Sequence, residues 1–205
     1  MLGDTVAPLR DFVVAMTQLI SKEVEESVVL LEGQTLLENL VKTDAWLPDF
    51  CAQPHDKYYQ QYLLHADPLE RFSVVSFVWG IGQQTPIHDH GVWGLIGMLR
   101  GMESEQRYRR NDEGKWGVDG GETTLRPGDV QCITPSTGDV HRVRNGDPDG
   151  VSISIHVYGG NIGGIRRHVF DPDTGAPKDF VSGYSSDHMP NLWDRSTQIR
   201  SEILQ

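Results

Sequence analysis

The stretch that decides the fold of this chain is GQQTPIHDHGVWGLIGMLRG, residues 82–101. At its centre stands His88-Asp89-His90, flanked by apolar residues that are typical of a β-strand. Residues i and i+2 of a strand point to the same face, so the two imidazoles lie side by side. Two imidazoles on one face can share a metal ion, but a further ligand must then come from elsewhere in the chain.

A second glycine-bounded stretch supplies the candidate for that ligand. It reads GDVQCITPSTGDVHRVRN, residues 128–145. His141 opens a predicted strand directly after the turn at residues 137–139, and in a closed barrel it faces the His88 and His90 pair. We therefore predict one metal site built from His88, His90 and His141.

The rest of the pattern predicts a mainly β protein that begins with α-helices. Apolar residues recur at helical spacing over residues 9–20 and 36–41, and again at Tyr58, Tyr59, Tyr62 and Leu63. Short runs rich in β-branched and aromatic residues follow, separated by turns, which predicts a sandwich or small barrel. The predicted strands are 72–79, 92–99, 103–108, 122–125, 130–134, 141–143 and 151–158. From about Asp171 onward the sequence predicts coil, with one amphipathic piece at 192–204.

These elements divide the chain into three segments of a single domain. Residues 1–67 form an N-terminal helical segment packed on the barrel, residues 68–175 form the barrel, and residues 176–205 form a C-terminal extension. The 205 residues carry a formal net charge of −11, which argues against nucleic acid and anionic membrane surfaces as partners. The absence of a long apolar run and of a signal-peptide pattern predicts a cytoplasmic protein. A homo-oligomer remains open.

The spacing of the two glycine-bounded stretches resembles the two motifs of the cupin superfamily. The matching positions are Gly82, His88, His90 and Gly101 in the first motif and Gly128, Pro135, Gly138, His141 and Asn145 in the second. The gap from Pro135 to Gly138 is one residue longer than in the usual motif. The resemblance implies a cupin fold, which is a small β-barrel or jelly roll.

One position departs from the usual cupin pattern. Cupins commonly carry a metal-binding Glu a few residues after the second His of the first motif, where this chain has Gly94. Three neutral imidazoles without a carboxylate suit zinc, copper or iron(II). This three-histidine variant resembles the thiol dioxygenase branch of the cupins, which implies one Fe(II) per chain.

A row of polar residues follows on a predicted strand. Ser154, His156 and Tyr158 alternate with apolar residues, so all three share one face. A buried polar row needs hydrogen-bond partners, and a structural row or a solvent-facing edge is the alternative. Ser-x-His-x-Tyr resembles the triad of the cysteine dioxygenase family. That resemblance implies a relay from Ser154 through His156 to Tyr158, with the Tyr158 phenol donating a hydrogen bond to ligands at the metal.

The residues that would hold a substrate differ from those of the animal-type cysteine dioxygenases. No Cys stands near Gly94 to form their crosslink to the Tyr that matches Tyr158, and Gln61 stands where they carry a carboxylate-binding Arg. Arg167 follows the polar row after a glycine-rich turn, in a place that resembles the bacterial 3-mercaptopropionate dioxygenases. This implies that Arg167 holds the substrate carboxylate and that Gln61 supports the same end. A surface pair of Arg166 and Arg167 is the alternative.

The sequence therefore predicts an iron-dependent thiol dioxygenase. Its partners are a small thiol carboxylate and O₂, and its reaction converts 3-mercaptopropionate to 3-sulfinopropionate. The alternatives are a cysteine dioxygenase that lacks the crosslink, a different cupin enzyme, and a non-enzymatic cupin that binds a small ligand.

Overall fold

The computed structural model of the protein describes residues 6–185 and 196–204. The chain begins with two helices, continues through twelve strands within the described residues, and ends in a short helix. The helices are α1 (Ala7–Ile20), α2 (Glu26–Leu40) and α3 (Ser196–Ile203). The strands are β1 (Gln60–Ala66), β2 (Ser73–Trp79), β3 (Ile87–His88), β4 (Gly94–Arg100), β5 (Glu103–Arg110), β6 (Trp116–Val118), β7 (Thr123–Leu125), β8 (Val130–Ile133), β9 (His141–Asn145), β10 (Ser152–Tyr158), β11 (Arg167–Phe170) and β12 (Pro177–Phe180).

The strands form two antiparallel sheets that face each other. One sheet has the order β1-β2-β10-β4-β8, and the other has the order β12-β11-β3-β9-β5-β6, with β7 also paired to β5. Neighbouring strands come from distant parts of the chain, as in a jelly roll. The predicted fold class is confirmed: the protein is mainly β, a jelly-roll barrel of two antiparallel sheets with N-terminal helices.

The centre of the five-stranded sheet is buried on both faces because the two helices pack on its outer side. Every residue of β2 and β10 is buried. Helix α2 approaches β4 so closely at Gly97 that a Cβ there would lie 2.9 Å from Leu37 and Val41. A glycine is therefore required at this contact. Within the described residues no helix is long and apolar enough to cross a membrane.

The predicted helix around Tyr58–Leu63 is wrong, because Gln60–Ala66 forms β1. The apolar spacing there also fits a strand with a bulge. The register of β1 on β2 shifts between Leu63 and His65, so Tyr62, Leu63 and Leu64 are all buried. An irregular strand loses its alternation, and aromatic residues favour strands once a sheet is available to pack on.

The C-terminal segment is more ordered than the prediction of coil. Pro177–Phe180 pairs with β11 as β12, which corrects that prediction. Helix α3 lies inside the predicted amphipathic piece 192–204, although residue 192 itself lies outside the described residues. The division of the chain at residues 67 and 175 stays a prediction. With these boundaries, β1 belongs to the first segment and β12 to the last.

Candidate metal centre and ligand cavity

The fold brings the three predicted metal ligands together. His88 of β3 lies directly opposite His141 of β9, and His90 follows two residues after His88. Their ring centroids form a nearly regular triangle with sides of 4.8, 4.8 and 4.9 Å. All three side chains are buried, and one ligand atom from each lies within 4.8 Å of the others. This three-histidine cluster could hold a metal ion.

The hydrogen bonds of two of these histidines determine which nitrogen is left for a metal. His88 Nδ1 lies 3.1 Å from the Pro86 carbonyl oxygen, and His141 Nδ1 lies 2.7 Å from Glu105 Oε1. A carbonyl or carboxylate oxygen can only accept, so each Nδ1 carries the proton and each Nε2 keeps its lone pair. Two Nε2 lone pairs are thus available, which is the state that a zinc, copper or iron(II) ion requires.

Burial keeps His88 and His90 in their neutral forms. It lowers the pKa of His88 well below its usual value, and the nearby charges of His141 and Arg167 lower it further. Burial likewise lowers the pKa of His90, where His88, His141 and Arg167 act in the same direction. Metal binding at neutral pH therefore need not displace a proton from His88 or His90.

Asp139 fixes the loop that carries His90. Its carboxylate Oδ2 accepts the backbone N–H groups of His90 and Gly91 at 2.9 and 3.1 Å. The same oxygen lies 3.9 Å from His90 Nδ1, which is buried and has no hydrogen-bond partner among the described residues. The sequence analysis did not identify Asp139, although it stands two residues before His141.

Glu105 is a second residue that the sequence analysis missed. It lies on β5, is buried, and accepts the hydrogen bond from His141 Nδ1. Gln131 also donates to it, and Arg107 lies 3.3 Å away. Burial alone would raise the pKa of Glu105, but the hydrogen bond and charge of His141, with Gln131 and Arg107, bring that pKa below its usual value. Glu105 is therefore an ionised carboxylate that orients the imidazole of His141, a candidate metal ligand.

Replacing Glu105 with Gln is expected to weaken metal binding without abolishing it. The amide keeps the size of the side chain but loses the negative charge that makes the Nε2 atom of His141 a stronger metal ligand. Loss of a carboxylate behind a metal-binding His typically costs about 10-fold to 100-fold in affinity. Titration of the full-length variant with Co(II), followed by absorbance, measures this. An affinity equal to that of the wild type would contradict the assignment.

The polar row of Ser154, His156 and Tyr158 is buried and hydrogen-bonded, as the alternation predicts. His156 Nε2 lies 2.8 Å from Ser154 Oγ, and His156 Nδ1 lies 2.8 Å from the Tyr158 hydroxyl. The Tyr158 ring stacks on His90 at 5.4 Å, so the row ends beside the three-histidine cluster. Burial raises the pKa of Tyr158, which keeps its phenol protonated.

Gly94 makes room for Tyr158. A Cβ at this position would lie 3.1 Å from Tyr158 Cδ1 and 2.9 Å from Ile133 Cγ1. A larger side chain would displace one of these residues, so the glycine at this position permits the position of the tyrosine. Cys51 and Cys132 pack in the hydrophobic core between the helices and the five-stranded sheet. Neither cysteine lines the cavity beside Tyr158.

Arg167 turns inward and Arg166 turns outward. Arg167 on β11 is 4% exposed; its Nη2 donates to Ser182 Oγ at 2.7 Å, and its guanidinium lies 4.6 Å from the centroid of the Phe180 ring. Its Nε is buried and has no hydrogen-bond partner among the described residues. Arg166 is half exposed and lies within 4.0 Å of two surface carboxylates, those of Asp179 and Glu202. The two neighbours are not a surface pair.

One cavity of about 200 Å³ joins the three-histidine cluster, Arg167, and His156 and Tyr158 of the polar row. Gln61 lies in its wall, and Trp79 lines it as well as packing the barrel. Lys178 and Phe180 of β12 also line it, so the missed strand contributes to the site. Its cations are Arg167 and Lys178, and no carboxylate lines it among the described residues. The full lining is Tyr59, Gln61, Phe77, Trp79, Thr85, Pro86, His88, His90, His141, Val143, His156, Tyr158, Arg167, Val169, Lys178 and Phe180.

No protein-family model matches the chain. Among solved structures, a protein with a double-stranded β-helix domain from Klebsiella pneumoniae is 23% identical, with 55% of this chain and 87% of that one covered and a TM-score of 0.41. A cupin superfamily protein from Desulfitobacterium hafniense is 13% identical over 53% and 84% of the two chains, with a TM-score of 0.41. A cupin 2 conserved barrel protein from Rhodopseudomonas palustris is 17% identical over 60% and 75%, with a TM-score of 0.43. Each of these three matches covers 60% of this chain or less, and any activity has to be argued from the residues of the site.

Proposed function

We propose that the protein is an iron(II)-dependent thiol dioxygenase that converts 3-mercaptopropionate to 3-sulfinopropionate. The observation that carries this proposal is one cavity in which the imidazoles of the three-histidine cluster, the Tyr158 side chain and the buried Arg167 guanidinium meet. Its volume of about 200 Å³ is below the roughly 300–1,000 Å³ of pockets for drug-sized ligands, so a small molecule fits it better.

The charges of the cavity favour a thiol acid without an amine. A substrate carboxylate finds Arg167 with a free, buried Nε, and the nearby Lys178 adds a second positive charge at the same cavity. An ammonium group would meet these two cations and no carboxylate in the lining. A buried charge without a partner is costly, so cysteine is the less favourable substrate.

The three imidazoles would hold the iron, and the other residues would position the substrate. Bound iron(II) would favour the thiolate form of the substrate and supply the redox chemistry with O₂. Both oxygen atoms of O₂ end on sulfur, and sulfur supplies the electrons, so no organic cofactor is needed. Arg167 fixes the carboxylate, Gln61 lines the same end of the cavity, and the Tyr158 hydroxyl contacts the reacting end.

Replacing Tyr158 with Phe is expected to slow turnover while leaving the metal content unchanged. The substitution removes only the hydroxyl, and a hydrogen bond to a charged group contributes about 1.5–3 kcal/mol, so the loss is on the order of 10-fold to 100-fold in kcat. Steady-state O₂ uptake and iron content check both statements. Loss of iron in this variant would instead indicate a structural tyrosine.

The proposal is tested by O₂ uptake of the full-length protein after anaerobic loading with iron(II). Three thiols are offered separately: 3-mercaptopropionate, L-cysteine, and cysteamine, which has an amine but no carboxylate. We expect about one O₂ per thiol by the stated reaction and the highest kcat/KM for 3-mercaptopropionate, with the sulfinate as product. Cysteamine is expected to be the poorest substrate because it has nothing to offer Arg167.

The other outcomes separate the alternatives. A preference for cysteine would keep the metal site and reject the charge argument at Arg167 and Lys178. Metal binding without O₂ uptake for any of the three thiols would reject the dioxygenase and leave a cupin with a different ligand.

A further inference from the structure

The polar row does not end at Ser154. Ser154 Oγ lies 2.6 Å from Glu103 Oε2, a buried carboxylate on β5 of the opposite sheet. The indole Nε1 of Trp79 donates to the same Ser154 oxygen at 3.2 Å. The side chain of Glu103 is 3% exposed and lies 3.8 Å from His156 Nε2, so a negative charge stands behind the row. The proposed function assigns no role to this charge.

Counting protons along the row determines the direction of each hydrogen bond. A serine hydroxyl has one proton to donate and two lone pairs to accept with. An indole N–H only donates and an ionised carboxylate only accepts, so Ser154 accepts from Trp79 and donates to Glu103. Its remaining lone pair must accept the proton of His156 Nε2. In the neutral imidazole, His156 Nδ1 is then bare and accepts the proton of the Tyr158 hydroxyl.

We propose that Glu103 is a positioning residue that fixes this proton order, so that Tyr158 meets the cavity as a hydrogen-bond acceptor. In this order Tyr158 accepts where the sequence analysis expected it to donate. The stacking of His156 on Phe77, with centroids 4.0 Å apart, holds the imidazole in the plane that the order requires. The proton order does not depend on the proposed function, whereas its consequence for a thiol rests on that function.

Because the Tyr158 oxygen is a hydrogen-bond acceptor in this order, it can accept the proton of an incoming thiol. The S–H bond breaks and its proton goes to the Tyr158 oxygen, while the phenol proton passes to His156 Nδ1. The products are a thiolate and an imidazolium, and Tyr158 is left neutral. The Glu103 carboxylate stabilises that imidazolium through Ser154 and through its charge at 3.8 Å. The row thereby acts as a proton acceptor for the substrate.

Nuclear magnetic resonance of nitrogen-15-labelled histidine in the full-length chain tests the order directly, both without added metal and with Zn(II). His156 is assigned by its loss in His156→Gln. We expect the wild type to carry its proton on Nε2. In Glu103→Gln the amide can donate to Ser154, which frees the serine proton for Nε2, so we expect His156 to change to the Nδ1-protonated form. Glu105→Gln is the matched control, because Glu105 is also buried on β5 but contacts His141. This variant should leave the proton of His156 on Nε2.

Two results would overturn the proposal. One is a wild-type His156 that carries its proton on Nδ1, and the other is a Glu103→Gln variant whose His156 spectrum is unchanged. Ser154→Ala provides a second variant should Glu103→Gln fail to fold. It removes the hydroxyl that connects Glu103 to His156, so His156 should no longer be held in the Nε2-protonated form. These measurements need no activity, so they remain decisive even when no thiol is oxidised.

A double-mutant cycle tests the consequence for catalysis. Glu103→Gln alone is expected to lower kcat about tenfold, in the range of one charged hydrogen bond. In the Tyr158→Phe background it should have no further effect, because the row no longer reaches the substrate. An equal loss in both backgrounds would mean that Glu103 only stabilises the fold, which would reject its role in the row.

Discussion

His141→Ala is expected to abolish metal binding under conditions that fully load the wild type. Structural zinc sites with four ligands bind with about 10–16 kcal/mol, or roughly 2.5–4 kcal/mol per ligand. Removing one ligand then costs on the order of 10²–10³ in affinity. His141 faces His88 across the β3–β9 pair and is the only member of the cluster oriented by Glu105 among the described residues. Iron content after anaerobic loading and Co(II) titration measure the loss.

The control for this prediction is His55→Ala. His55 is exposed and lies outside the cavity, so its loss should leave metal content unchanged. Thermal unfolding of both variants shows whether either still folds. A folded His141→Ala protein with full iron content would contradict the three-histidine site, whereas equal loss in both variants would indicate adventitious surface binding.

The three-histidine cluster could be predicted because the positions of its members depend on local rules. His88 and His90 follow from the two-residue period of a strand, and His141 follows from the second glycine-bounded stretch. The polar row follows from the same alternation, since apolar residues separate its members. In each case the sequence pattern predicts the face of the strand on which the side chain lies.

The two buried glutamates could not be predicted because their burial depends on a neighbouring strand. Residues 103–110 read ESEQRYRR, a pattern typical of a solvent-exposed strand. In the structure β5 lies between β9 and β6, with Glu105 opposite Val143. That register places Glu105 on the same face as His141, and Glu103 two residues earlier therefore also faces inward. Only the tertiary pairing turns this polar strand into two internal carboxylates.

Strand β12 was not predicted for a similar reason: its pairing depends on a neighbouring strand. Pro177–Phe180 contains a proline, a lysine and an aspartate, which are uncommon in strands, and it pairs only with β11 at the edge of its sheet. Proline is tolerated at the start of an edge strand because no further strand needs its N–H. Lys178 pairs with Val169 and Phe180 pairs with Arg167. The register therefore aligns both side chains with the cavity wall.

Arg167→Ala is expected to raise KM for 3-mercaptopropionate by on the order of 10²–10³ while changing kcat less. Removing one partner of a buried ion pair costs about 3–5 kcal/mol, because the substrate carboxylate would lose its buried partner and keep only Lys178 as a cation in the cavity wall. Arg166→Ala is a matched control one residue away, since its guanidinium faces Asp179 and Glu202 at the surface. It should leave KM unchanged.

A thiol without a carboxylate separates a binding role of Arg167 from a structural one. With 1-propanethiol as substrate, wild type and Arg167→Ala should have similar KM values, because the removed charge has nothing to bind. If KM rises equally for both thiols, Arg167 shapes the cavity through Ser182 and Phe180 rather than binding the carboxylate. If KM changes for neither, the carboxylate lies elsewhere, and Lys178 becomes its partner because it is the other cation in the cavity wall.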